Sequence, residues 1–511
     1  MELNAFDIAV FVVFIGGVVA ISMFKSRRER TSEDYFLAGR GLTWPLIGLS
    51  IVAANISTEQ FVGMSGQGAG DVGLAVAGYQ LLGAVTIVVV AWLFLPRFLR
   101  AGIYTMPEYL EYRYNSATRA MMALYTVAIY VLVLVAAVVY SGALALHTIF
   151  VDVKLAQAAW LIGGIAAVYT IWGGLKAVAW ADLFLGSALL LGGLLTMLLG
   201  FHEIGGVRVF LEANADRLHM VLPANHPQMP WTVLVVGLWI PNFYYCGLNQ
   251  FVVQRTLAAR DLKHGQLGII FAAGLWLLVP FVIVFPGIMA VQLYGGQLGS
   301  SDQAYPVLIR NLIPQGVRGF IFAALAGAVI SSLASLLNSA ATISTMDLYQ
   351  RYLKRDASQK SLVWMGRVLT LLFVLFGCLL APHLSSPRLG GIFKYIQEFQ
   401  GFISPGIVAA FVFGMVVRKA PPAAGVAALA LNPPIYGLLF LFSDRVAFLN
   451  RMAVTFGLLI VSMAIVTITK PLAEPKQMPV RQDFDMRPAP QVLLLGGVVI
   501  AAVIAFYIVF W

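Results

Sequence analysis

The segment IVAANISTEQ, residues 51–60, opens like a helix bound for lipid and then places Asn55, Ser57, Thr58, Glu59 and Gln60 close together. These side chains offer donors, acceptors and one charge, none of which hydrocarbon can satisfy. A second apolar run, GLWIPNFYYCGLNQ at 237–250, carries Pro241, Asn242, Tyr244 and Tyr245. Proline cannot donate a helical hydrogen bond. The spacing predicts a break at Pro241 in this run and at AANIS, 53–57, in the first. An unwound turn frees backbone carbonyls and helix ends, which can replace water around an ion or a polar solute. The chemistry implied is coordination and transfer rather than bond cleavage.

A third run, LAGAVISSLASLLNSAATISTMD, is rich in small and hydroxyl residues. Ser331, Ser335 and Ser339 share one helical face. Two readings stand side by side. Small residues let membrane helices approach closely. The adjacent hydroxyls of Ser331 and Ser332, joined by backbone carbonyls, also suit a hard cation such as sodium, which takes oxygen ligands. Asp182, after WGGLKAVAWA, begins another span. It is either a cap at the interface or a source of negative potential for a cation. At a helix centre it would cost ~2.5–3.5 kcal/mol unless paired or hydrated.

The elements that position these groups follow from composition. The 511 residues are 60% hydrophobic and 11% charged, with a mean hydropathy of +0.86. Soluble domains average about 25% charged residues, so lipid is the main solvent expected here. About fourteen apolar runs have membrane-crossing length. An extra first helix covers 5–23. Five runs fall in 43–202 and five in 230–416, and an odd number lies between their starts, so the two sets begin from opposite sides as an inverted repeat. Further helices fill 421–511. One all-α polytopic membrane domain over 1–511 is expected, without a soluble domain.

The net charge of +10 is distributed as a topology signal. Lys25, Arg27, Arg28 and Arg30 follow the first run, and alternate loops hold most of the lysines and arginines. By the positive-inside rule both termini face outside, with the bilayer as partner and no nucleic acid. Cys246 and Cys378 both fall in spans, which excludes a disulfide framework. The six histidines form no metal-ligand pattern. There is no nucleophile elbow, phosphate loop or dinucleotide fingerprint, so no enzyme is expected.

The sequence resembles the solute:sodium symporter family, in particular its bacterial sodium/galactose (sodium/glucose-type) branch. The matching segments are TSEDYFLAGRGLTWPLIGLSIVAANISTEQFVGMSG (31–66), GIYTMPEYLEYRY (102–114), YTIWGGLKAVAWAD (169–182), GLWIPNFYYCGLNQFVVQRTLAA (237–259), ALAGAVISSLASLLNSAATISTMDLY (324–349) and FKYIQEFQGFISPGI (393–407). They lie in order over most of the chain. The resemblance implies a five-plus-five inverted-repeat core of the LeuT type and sodium-coupled uptake by alternating access. It implies a sodium ion held by carbonyls and hydroxyls of Ala53, Ile56, Ala328, Ser331 and Ser332, with Asp182 nearby.

The resemblance also assigns a solute pocket to Gln60, Gln80, Gly83, Asn242, Trp276 and Gln397. It implies an inner gate at Tyr245 beside Asn55, and an outer gate of Met64, Tyr79 and Phe393. Three pocket positions depart from the branch: Gln80 replaces a glutamate, Gly83 a serine and Trp276 a lysine. Lys394 adds a cation near Gln397, either meeting a carboxylate of the solute or pairing with Glu398 four residues on. The expected function is sodium-coupled import of a monosaccharide or related polyol across a bacterial-type inner membrane. An acidic sugar or other organic acid is the alternative, and an uncoupled sensor or sodium leak a further one. Oligomeric state is not legible in the sequence.

Overall fold

In hydrocarbon every backbone N–H and C=O must find its partner within the protein, which leaves helices as the economical way to cross. The computed structural model describes all residues except 1–4, 26–30, 57, 150–152, 315–316, 386–390, 444–445 and 483. Arg27, Arg28, Arg30 and Ser57 therefore lie outside the described residues. Among those described, the chain forms helices, with two isolated bridges and no strand. The principal helices are α1 (Ala5–Lys25), α2 (Trp44–Asn55), α3 (Glu59–Ala69), α4 (Gly73–Ala101), α5 (Ser116–Thr148), α6 (Leu155–Ile204), α7 (Trp231–Leu248) and α8 (Gln250–Leu257). They continue as α9 (Leu262–Gln297), α10 (Arg318–Leu353), α11 (Gln359–Leu384), α12 (Ile392–Gln400), α13 (Ser404–Val416), α14 (Pro422–Phe442), α15 (Phe448–Thr469) and α16 (Val492–Val509).

Eleven helices among the described residues are long and apolar enough to cross a membrane, or thirteen when each of two bent pairs counts as one span. The helical run α6 contains two apolar stretches, Leu155–Val168 and Leu175–Ile204. A straight helix of its length would be about 75 Å long, against a hydrocarbon core of about 30 Å. It therefore holds enough residues for two crossings.

The breaks position the site. Helix α2 ends at Asn55, Ile56 leaves helical geometry (φ −85°, ψ 86°), and α3 resumes at Glu59, bent by 52°. The second break corrects the sequence expectation. Pro241 sits third in the short helix Trp239–Phe243 and does not end it. In a first turn its missing N–H breaks no helical bond. The chain stays helical to Leu248 and breaks at Asn249 (φ −81°, ψ 120°), where α8 starts. A third break divides the run expected to be a single span over 391–416: α12 and α13 are bent by 45°. Asn432 of α14 supports that corner, donating to the Gly401 carbonyl at 3.3 Å and accepting from the Gly406 N–H at 2.9 Å.

The core packs α6 along α10, and α2 against both α6 and α9. Small residues set these distances. A Cβ on Gly186 of α6 would lie 2.9 Å from the Ala53 side chain and 3.2 Å from the Leu49 carbonyl. Helix α1 is tied to the start of α10 by Asp7, which accepts the Gly319 N–H at 3.0 Å. Helices α14, α15 and α16 border the bundle with lipid-sized apolar faces.

Gly186→Val is expected to lower stability by about 1–3 kcal/mol through overpacking at the first break. Gly164→Val, at a position with nothing within 4 Å, should leave it nearly unchanged. Thermal unfolding of the purified protein in detergent measures both, and equal melting would refute the close packing of α6 on α2.

Candidate ion and solute site

Asp182 on α6 is fully buried and meets three other helices. Ser331 of α10 donates its hydroxyl to one carboxylate oxygen, and Ser50 of α2 donates to the other. Arg255 of α8 donates to that second oxygen at 3.1 Å. The same guanidinium reaches Ser50 Oγ at 2.6 Å, Ser335 Oγ at 2.5 Å and the Phe251 carbonyl. Burying such a pair costs several kcal/mol per ion and is repaid only when further hydrogen bonds satisfy both groups. Here serines and a carbonyl supply those bonds.

Arg255 falls within the matching segment 237–259 but was given no role in the sequence analysis. The usable signal was a charge within a few residues of an apolar run, since ionisable groups inside membrane bundles are costly and paired.

Beside this pair lie the oxygens expected to hold the ion. Ala53, Ile56, Ala328, Ser331 and Ser332 are all buried. The end of α2 leaves its last carbonyls without in-helix donors. The Ala53 carbonyl instead meets the Ser332 hydroxyl at 3.5 Å. Carbonyl and hydroxyl oxygens suit a hard monovalent cation. Among the described residues no group of three His, Cys, Asp or Glu could hold a metal ion.

Two residues beyond Ala53, the same break turns Asn55 into a separate cavity. Asn55, Gln60, Tyr79, Gln80, Asn242, Tyr245, Trp276, Phe393 and Gln397 line it together, with Pro241 and Cys246. Cys246 was not singled out in the sequence; its thiol lies 3.7 Å from the Gly83 carbonyl. Four buried polar atoms of this lining have no protein partner: Asn55 Oδ1, Gln60 Oε1, Asn242 Nδ2 and Trp276 Nε1. Two accept and two donate. Gly83 forms a seat beneath the indole, since a Cβ there would lie 3.2 Å from the Trp276 ring. The space enclosed is about 30 Å³, room for a few waters, whereas pockets for drug-sized ligands span about 300–1,000 Å³. Admitting a solute requires the walls to part.

The remaining expected residues divide. Tyr79 and Phe393 meet edge to face, ring centroids 5.0 Å apart, and Asn55 hydrogen-bonds the Tyr245 hydroxyl. Met64 is fully buried but does not line the cavity. Lys394 is a correction: it is half-buried and outside the lining. Phe393 and Gln397 are four residues apart on one face of α12, which turns Lys394 and Glu398 to the next face. Nor does Lys394 pair with Glu398, whose carboxylate binds Arg451 of α15 at 2.6 Å. Glu59 faces a second small cavity with Tyr245, Gln397 and Gln400.

Residues 35–429 match the sodium:solute symporter family. The chain belongs to that family. This symporter is 36% identical to the sodium/glucose cotransporter of Vibrio parahaemolyticus over 100% of this chain and 99% of the relative. It is 34% identical to human sodium/myo-inositol cotransporter 2 over 81% of this chain and 66% of the relative. Its fold matches the outward-open structure of a sodium-coupled sialic acid symporter with a TM-score of 0.82 at 21% identity, covering 93% and 99% of the two chains. It is a transporter, not an enzyme, with sodium as the co-transported ion.

Removing one member of a buried ion pair strands the other. Arg255→Met is expected to destabilise this symporter by about 3–5 kcal/mol. Arg255→Met combined with Asp182→Asn should recover most of that loss. Thermal melting of the single and double variants in detergent measures the coupling, and additive losses would refute it.

Proposed function

We propose that this symporter imports an uncharged monosaccharide or cyclic polyol, driven by the sodium gradient. The observation that carries the reading is the lining of the cavity. It contains amides, phenols and an indole and no ionised side chain, with two donors and two acceptors unpaired. A polyol presents hydroxyls that donate and accept, which such groups satisfy. A carboxylate solute would need a cation, and Lys394 stands off the lining. The names of the relatives, glucose and myo-inositol cotransporters, agree with a neutral polyol.

In this reading Ala53, Ile56, Ala328, Ser331 and Ser332 coordinate sodium, and Asp182 supplies the field behind them. Gln60, Gln80, Asn242, Trp276 and Gln397 hold the solute. Tyr79 and Phe393, backed by Met64, form the outer gate, and Tyr245 with Asn55 the inner one. The residues of α2 and α3 supply both ligands, Ala53 to the ion and Gln60 to the solute. Each ligand therefore acts on the geometry of the same break. Coupling needs only that each bind the two states unequally. The broken helices α2/α3 and α7/α8 take corresponding places in inverted repeats 43–202 and 230–416. The arrangement of lysines and arginines supports both termini outside, in a bacterial-type inner membrane.

Uptake into proteoliposomes tests the whole reading: an imposed sodium gradient should accumulate a labelled hexose or inositol, and absence of any such uptake would sink it. Ser332→Ala should raise the sodium concentration needed for half-maximal uptake while leaving melting close to that of the parent. Unchanged sodium activation would remove the ion assignment. Trp276→Phe keeps the ring and removes the N–H, so KM for the solute should rise about 5–10-fold, the worth of one hydrogen bond. An unaltered KM would take the indole out of the pocket's recognition set.

A further inference from the structure

Asp302 belongs to neither the ion set nor the solute set. It lies in the turn Ser301–Gln303, between α9 and α10, ahead of the short helix Ala304–Leu312. Its side chain is buried, with 7% of the residue exposed. One carboxylate oxygen accepts the backbone N–H of Ile392 at 3.1 Å. Ile392 is the first residue of α12, whose own N-cap, Gly391, offers no side chain. The second oxygen has no hydrogen-bond partner.

Two glycines make room for this carboxylate. A Cβ on Gly66 of α3 would come within 2.8 Å of it, and one on Gly391, held at φ +95°, within 3.3 Å. The groups facing Asp302 are the Gly66 backbone of α3, the neighbouring Gln67 amide, the start of α12 and the Tyr140 phenol of α5. No cation pairs with it among the described residues. The bond to Ile392 lies one residue from Phe393, whose ring meets Tyr79. Asp302 thus bridges α3, which carries Gln60, and α12, which carries Phe393 and Gln397.

We propose that Asp302 is a positioning residue of the gate: from its loop it clasps the first turn of α12 against α3, and the path past Tyr79 and Phe393 opens only when that bond breaks. A carboxylate accepting a backbone N–H at a helix start is a charge-assisted bond, stronger than a neutral one and favoured by the helix dipole. Breaking it also frees a group that was costly to bury, so the clasp can be firm and still reversible. The inference rests on the reading of Tyr79 and Phe393 as a gate.

The native thiols supply the probe. Cys246 lines the cavity, while Cys378 is buried against Ala159. In a Cys378→Ser background, oriented membrane vesicles are treated with an impermeant thiol reagent on the side where Asp302 lies. Neither sodium nor solute is added. Asp302→Ala should label Cys246 on the order of 10-fold faster than the parent. Asp302→Asn, which keeps an acceptor oxygen and sheds the cost of burying a charge, should label no faster than the parent. Labelling of Asp302→Ala at the parental rate would overturn the clasp.

If that variant does not fold, Gly66→Ala decides, because its methyl group, 2.8 Å from the carboxylate and 3.0 Å from the backbone of Asp302 and Ser301, pushes the turn away from α3 without removing the carboxylate. Faster labelling is expected, and the parental rate overturns the proposal. The readout needs no transport, so absent sugar uptake with altered labelling would strike only the function. Intact uptake with unaltered labelling would strike only the clasp.

Acid adds a second arm. Burial pushes the Asp302 carboxyl up to about 6, against the pull of the Ile392 N–H. Opening returns it to water and to the ordinary range, so the closed form binds the proton more tightly. Lowering the pH from about 7 to about 5 should therefore favour closure. Labelling of the parent should fall relative to Asp302→Asn, which cancels the pH dependence of the reagent. Parallel profiles would overturn this arm.

Discussion

The pairing of Asp182 with Arg255 is the interaction on which the rest of the core depends. It is buried, it joins α6 to α8, and its serine partners come from α2 and α10. Charges placed where they cannot be hydrated leave little freedom, since each must keep its partners or expose an uncompensated ion. The pair therefore fixes the relative positions of the helices that bring Ala53, Ser331 and Ser332 together. It also sets the local charge. Because Arg255 balances Asp182, a sodium ion at the proposed site beside them adds a charge rather than completing a neutral pair. Carbonyl and hydroxyl dipoles must do much of the holding, which is a recipe for reversible binding.

The break between α2 and α3 distributes the work. Its first side turns a carbonyl, from Ala53, toward the serines of α10. Its second turns amides, from Asn55 and Gln60, into the central cavity. The oxygens expected to hold the ion and the cavity lining share no side chain, yet they are built on consecutive turns of the same chain. A shift at one is geometrically a shift at the other. The packing of Gly186 against Ala53 holds the first side of that break in register with α6 and hence with Asp182.

Much of this was legible in the sequence, for identifiable reasons. Polar residues in a lipid-length run have few uses, so Asn55, Gln60 and Asn242 stood out on type alone. Others were legible only by resemblance: Gln80, Trp276 and Gln397 carry no local signal, yet they line the same cavity. Pro241 misled because a proline reads as a break, and only the structure places it in a first turn where it breaks nothing. Lys394 misled because it lies one turn before Gln397 on the helix, yet only Gln397 of the two reaches the cavity lining. Asp302 gave no signal, for its partner is a backbone N–H contributed by Ile392, and backbone partners leave no trace in residue type. Glu59, the most conspicuous residue of its segment, turned out to face the neighbouring cavity rather than the solute pocket.

The smallness of the central cavity carries a kinetic consequence. Closed around about 30 Å³, the protein offers Asn55, Gln60, Asn242 and Trp276 only a few waters as partners. Each such atom left dry costs about 1–3 kcal/mol. In the proposed function a bound polyol removes that cost by pairing with them, so the loaded protein crosses its closed state more readily than the empty one. The return of the unloaded carrier then becomes the slow limb of the cycle. Solute on the far side relieves that limb, and exchange of one labelled polyol for another outruns net accumulation.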